Sequence, residues 1–223
     1  MKRYIPLMLV LIVIIAVMFI INLILGSVDI PVKDIWNILI GKGSDSEVWN
    51  NIIIKSRLPQ TLTALVGGAG LAVSGLQMQT VFRNPLAGPS VLGISSGASL
   101  GVAFVVLLSG SLGGVALSRL GYIGDAAMSI AAIIGSLAIM SLIVYVSQKV
   151  RGNVTLLVIG VMIGYLATAI IGVLKFFSAE EDIKAYVVWG LGSFSRVSGN
   201  QMVLFVGIMI SVITGIIFKL ARL

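Results

Sequence analysis

Neither cysteine nor histidine occurs among the 223 residues, and only 10% of positions are charged. The first absence excludes disulfide frameworks and thiolate chemistry, while leaving the redox compartment open. The second removes the commonest side-chain metal ligand and the base of Ser-His-Asp hydrolases. The shortage of charge accompanies 58% hydrophobic positions and a mean hydropathy of +1.14, far from the composition of soluble domains. The chain reads as an all-α, polytopic membrane protein. A formal charge of +7 would suggest nucleic acid in a soluble protein, but here topology accounts for it and no nucleic-acid partner is expected.

Six apolar runs approach or reach the roughly 20 helical residues that cross a bilayer. They are Leu7 to Leu25, about Pro59 to Phe82, about Leu92 to Ser109, Ala126 to Ser147, Val154 to about Phe176, and about Gln201 to Leu220. The first follows Lys2 and Arg3 as a signal peptide would, yet its apolar core is too long and lacks a small-residue cleavage site, so it reads as a retained span. Between the first two, Pro31 precedes a stretch in which Val32, Ile35, Trp36, Ile38 and Leu39 share a helical face, the pattern of a helix at the lipid interface. After the fifth, Glu180, Glu181 and Asp182 precede Ile183, Tyr186, Val187 and Trp189, a short amphipathic helix with its acids where the helix dipole favours them.

Six spans put both termini on one side. That side holds Lys2, Arg3, Arg83, Lys149, Arg151, Lys219 and Arg222 and no acid, all in short segments; the other eight cations and all eight acids share three longer loops. Cation density in short loops makes the first side cytoplasmic. Trp36, Trp49 and Trp189 then fall on the outer side as interfacial anchors. No acid lies inside a span, whereas a proton-coupled transporter would be expected to carry an ionisable group along its pathway. Energy for any active transport would have to come from a partner.

The most informative stretch is Arg83 to Gly101, R-N-P-L-A-G-P-S-V-L-G-I-S-S-G-A-S-L-G. Pro85 and Pro89 interrupt the helical path. Gly93, Gly97 and Gly101 then recur every fourth residue, a side-chain-free ridge on which another helix can pack closely. Gly160 and Gly164, with Thr168 and Gly172, form a second small-residue stripe on the fifth span. By packing rules alone the first stretch is a polar turn followed by a close-packed helix. Leucine at Gly97 should therefore disrupt the fold, and leucine at Val105 or Val106 should be tolerated. Gly93-Ile94-Ser95-Ser96-Gly97 also matches the G-x-S-x-G nucleophile elbow, but without histidine the usual base is missing, and Lys175, the nearest lysine, sits near a span end.

Together with R-L-P-Q-T-L-T-A-L-V-G-G-A-G-L-A-V-S-G-L-Q-M-Q-T-V-F-R-N-P-L-A from Arg57 to Ala87, this stretch resembles the permease subunit of ATP-binding-cassette importers for iron–siderophore, haem and cobalamin. The resemblance extends with gaps over most of the chain. It implies a single transmembrane domain over residues 1–223, the N-terminal part of a longer family domain, translocating a metal chelate across the cell membrane. Its partners would be a second permease chain, two cytoplasmic ATP-binding subunits and an extracytoplasmic binding protein, with no catalytic residue, cofactor or bound metal in this chain. Asn84, Pro85 and Leu86 would form one cytoplasmic gate, and Gly152, Asn153, Val154 and Thr155 map by position onto a second, an ordinary polar turn being the competing reading. Thr155, Tyr165 and Thr168 are candidates to face the pathway. Arg57, matching the first arginine of the family's Arg-Leu-Pro-Arg, would dock the binding protein, the alternative being a snorkelling interfacial arginine; Gln60 replaces the second. The chain ends before the cytoplasmic segment that seats against the ATPase in the family, so a truncated, non-transporting remnant or assembly subunit is the alternative function.

Overall fold

The computed structural model describes residues 4–85, 88–111, 122–150, 152–194 and 197. Among these there is no strand. In chain order the helices are α1 (Ile5–Ile24), α2 (Val32–Leu39), α3 (Glu47–Ile52), α4 (Leu58–Phe82), α5 (Ile94–Ser111), α6 (Tyr122–Ser147), α7 (Asn153–Phe176) and α8 (Glu180–Gly190). A π-helical turn, Ile53–Arg57, joins α3 to α4, and a 3-10 turn, Pro89–Leu92, leads into α5. Four helical stretches, α1, Glu47–Phe82, and the bulk of α6 and α7, are long and apolar enough to cross a membrane; α5 adds a shorter apolar helix. The expected sixth span, the chain ends and their side of the membrane lie outside the described residues.

The described residues form two compact units, one built on residues 4–71 and the other on Ala72–Gly192. In the first, Leu23, Ile30, Ile35, Ile38 and Ile53 make a buried cluster. The face of α2 divides here: Ile35 and Ile38 are buried in this cluster, while Trp36 is 64% exposed. Asn22, the one polar residue in an otherwise apolar α1, has a partner, since the Thr61 hydroxyl donates to its side-chain oxygen at 2.7 Å.

In the second unit α5 is central. Val102, Ala103, Val106 and Leu107 are buried together with Met128, Ile171 and Tyr186 from α6, α7 and α8. The glycine ridge works differently from its even spacing. Gly97 and Gly101 lie against α6, where a Cβ on Gly97 would come 2.7 Å from the Gly135 carbonyl oxygen and one on Gly101 would come 3.2 Å from Gly135 Cα. Gly93 is not in the helix; its φ of +73° places it in the left-handed region as the residue between the 3-10 turn and α5. It faces α7 instead, with Gly160 and Gly164 opposite. One run of three glycines thus serves two interfaces. Val106, expected to tolerate enlargement, is 2% exposed within the core, where an added methylene forces off-rotamer packing.

Candidate functional site

The segments resembling the two gates come together at one end of the second unit. Helix α4 closes with the Arg83 N–H donating to Thr80 O (3.3 Å) and the Asn84 N–H to Gln79 O (3.1 Å), the pair of bonds that satisfies the last carbonyls of a helix when the following residue is left-handed. That residue is Arg83, at φ +49°, the one non-glycine with positive φ among the described residues. Pro85 then prevents continuation. On the other side, Gly152 at φ +111° precedes α7 and its carbonyl accepts from Leu156 N–H at 3.3 Å. A buried cluster of Phe82 from α4, Leu92 from the 3-10 turn and Ile143 from α6, with Leu156 and Leu157 of α7 against it, ties the four helix ends together. The cations Arg83 and Lys149 lie at this same end, the Lys149 ammonium donating to the Tyr145 hydroxyl at 2.6 Å.

Within this cluster the expected gate residues divide. Asn84 and Pro85 lie in the turn after α4; Gly152, Val154 and Thr155 lie at the start of α7, with Val154 74% exposed. Asn153 opens α7. Leu86 lies outside the described residues. Gly160 packs against Leu92 of the 3-10 turn and Gly164 against Ser96 of α5, whereas nothing lies within 4 Å of a Cβ placed on Gly172. Tyr165, 72% exposed, and Thr155 occupy the open side of α7, away from the face carrying Gly160, Gly164, Ala167 and Ile171. Thr168 returns its hydroxyl to the Gly164 carbonyl at 2.9 Å.

Arg57 does not stand where a docking cation should. It is 7% exposed, and its guanidinium donates to the carbonyls of Leu23 (2.9 Å), Ile24 (2.8 Å) and Val28. These include the final carbonyls of α1, the negative end of that helix dipole. The charge is satisfied internally, so Arg57 joins α1 to α4 rather than offering itself to a partner. The site also includes a packing residue the sequence reading passed over, Gly135 of α6. Its signal was present in Ala127, Ala131 and Gly135 at four-residue intervals. The serine of the hydrolase-like stretch, Ser95, is exposed on the first turn of α5, which follows the 3-10 turn Pro89–Leu92.

The family model described as FecCD transport family matches residues 12–223. The chain belongs to this family. Among curated FecCD relatives, the hemin transport system permease protein HmuU of Yersinia pestis is 35% identical over 179 residues, 80% of this chain and 50% of the relative. An iron chelatin transport system permease protein of Helicobacter pylori is 39% identical over 165 residues, 73% of this chain and 46% of the relative. The chain therefore spans about half the length of the curated relatives it matches. A solved structure described as an inward-facing, metal-chelate type ABC transporter superposes with a TM-score of 0.71 at 25% identity, covering 92% of this chain and 59% of that one. The fold of that transporter thus accounts for the helical arrangement of this chain.

Proposed function

We propose that this chain lines part of the path of an ATP-binding-cassette importer for a metal chelate of the iron–siderophore, haem or cobalamin type. The observation that carries the reading is the family match over residues 12–223, with relatives named for hemin and iron chelatin transport. The distribution of charge supports it: among the described positions α1, α4, α5, α6 and α7 hold no Asp, Glu, Lys or Arg apart from Asp125 in the first turn of α6 and Lys175 in the last turn of α7. The proton relay expected of a coupled secondary transporter is missing from them. Work must be supplied by partners, namely two cytoplasmic ATP-binding subunits, with a second permease chain completing the path and an extracytoplasmic binding protein delivering cargo. The chain itself performs no chemical reaction and needs no cofactor.

The gate in this reading is the cluster of helix ends around Phe82 and Leu92. Asn84-Pro85-Leu86 and Gly152 to Thr155 narrow the cytoplasmic mouth, and Thr155, Tyr165 and Thr168 face the cargo. The experiment is uptake of labelled ferric siderophore, haem and cobalamin in a strain lacking the gene, with and without the gene restored. Loss and recovery for one of the three is expected; undiminished uptake of all three refutes the reading. Cysteine pairs at Leu86 of two copies should cross-link and block uptake until reduced.

A further inference from the structure

The depth of α2 in the membrane follows from its attachment to α1. The 20 residues of α1, Ile5–Ile24, rise about 30 Å at about 1.5 Å each, which matches a hydrocarbon core about 30 Å thick. Its last turn therefore lies at one edge of that core. Leu23, in this turn, shares a buried cluster with Ile35 and Ile38 of α2, and Arg57 holds the same turn by donating to the carbonyls of Leu23 and Ile24. Helix α2 is thus fixed at the edge of the hydrocarbon layer. Its own ends are set by the backbone: the Pro31 carbonyl accepts from the N–H groups of Asp34 (2.9 Å) and Ile35 (3.1 Å), and Lys42 N–H donates to Asn37 O at 2.9 Å across Gly41, whose φ is +79°.

At about 100° per residue the surface of α2 divides into three sectors. Ile35 and Ile38, about 60° apart, form the sector buried in the cluster. Val32, Trp36 and Leu39, with Ile40 just beyond the helix, form a second sector beside it, and all four are exposed. Lys33 and Asn37, one turn apart, form the third. A helix between a core and water needs one apolar face and one polar face, so the second apolar sector calls for a third medium. It continues the open apolar surface of α1, where Ile21 and Leu25 are exposed. We propose that Val32, Trp36, Leu39 and Ile40 form a lipid-docking surface, seated where the phospholipid headgroups meet the acyl chains. The Trp36 ring suits that border, its body apolar and its N–H able to reach a polar partner, and the Lys33 stem can lie along it with the ammonium among the headgroups. A soluble protein would approach from the water, which the Lys33 and Asn37 sector faces. Sequence spacing places Ile35 and Ile38 on the same lipid face; the fold takes both for the core and leaves their neighbours to lipid. The inference needs α1 to span the bilayer and is independent of the cargo.

The test reads Trp36 fluorescence from the full chain in phosphatidylcholine vesicles, with the other tryptophans of the sequence replaced as Trp49→Phe and Trp189→Phe. Emission should be blue-shifted from that of tryptophan in water. It should lose most of its intensity when the lipids carry bromine on the acyl chains close to the glycerol, lose little when the bromine sits near the chain ends, and be spared by aqueous iodide. Strong quenching by iodide, with neither brominated lipid effective, would leave the face in water and open to a soluble protein partner, which overturns the proposal. Quenching mainly by bromine at the chain ends would put α2 inside the hydrocarbon core, and indifference to all three quenchers would mean that protein covers the face; either result overturns it as well. Where the phenylalanine pair lowers thermal stability, Trp36→Cys in the otherwise cysteine-free chain carries a nitroxide in its place. Its collisions with dissolved oxygen and with a water-soluble nickel chelate should be comparable, as at the headgroup border; collisions dominated by nickel would overturn the proposal, and so would a nitroxide shielded from both. Absence of uptake by the parent protein bears on the transport reading alone and leaves these depth results intact.

Discussion

Gly26 and Arg57 should be energetically coupled, although 31 residues apart. A Cβ placed on Gly26 would come 2.7 Å from the guanidinium carbon of Arg57 and 2.9 Å from its Nε. Gly26 has no positive φ, so alanine there is opposed by the guanidinium rather than by the backbone. The guanidinium cannot swing aside freely, because doing so abandons the carbonyls of Leu23, Ile24 and Val28. Overpacking of this kind costs about 1–3 kcal/mol. Arg57→Leu removes the donors and leaves buried carbonyls unsatisfied, a loss of about 3 kcal/mol if two charge-assisted bonds at about 1.5 kcal/mol each are counted. In the Arg57→Leu background the added methyl at Gly26 meets no guanidinium, so Gly26→Ala should cost almost nothing there. A double-mutant cycle, measured by reversible unfolding in mixed detergent micelles, should therefore give a coupling of about 1–3 kcal/mol. Additive single-mutant losses, agreeing within about 0.5 kcal/mol, would refute the internal clamp. A normal unfolding free energy for Arg57→Leu, with only binding-protein affinity reduced, would restore Arg57 to a docking role.

Other substitutions separate the two glycine interfaces and fix the topology. Gly97→Leu or Gly101→Leu should lower thermal stability in detergent by at least about 1–3 kcal/mol by forcing α5 from α6, while Val105→Leu, beside the apolar groove between those helices, should change it little; equal stability of all three would place the ridge against lipid. Arg83→Gly should raise stability by about 1 kcal/mol, since glycine carries no Cβ penalty at left-handed φ, and a loss would mean that the Arg83 side chain makes a contact worth more than its strain. Val150→Cys, in the cationic segment after α6, should resist an impermeant thiol reagent added outside intact cells; labelling there would invert the topology.

Span positions were legible along the chain because a bilayer imposes a local requirement, enough consecutive apolar residues to bridge it, and α1, α4, α6 and α7 fall where the apolar runs lie. Helix ends were legible for a similar reason: Pro85 and Gly152 act through their own backbone. The gap between Ser147 and Asn153 marks a turn before any neighbour is known. Small-residue spacing identified faces that admit close approach, and Gly160 and Gly164 meet the 3-10 turn and the first turn of α5 accordingly. What periodicity cannot specify is the partner on each face. Gly93, Gly97 and Gly101 are evenly spaced, yet a single left-handed residue turns the first towards α7 and leaves the others to α6. Val105 and Val106 are neighbours of one kind, but the helix rotates one of them into the core. Arg57 has the sequence context of a docking residue, and only the arrival of the α1 carbonyls beside it makes it a clamp. Its acceptors lie 29 to 34 residues away, so no local pattern encodes them. The packing of α8 was hidden for the same reason, since an amphipathic face fits a membrane surface and a helix neighbour equally well, and the contact of Tyr186 with α5 decided between them.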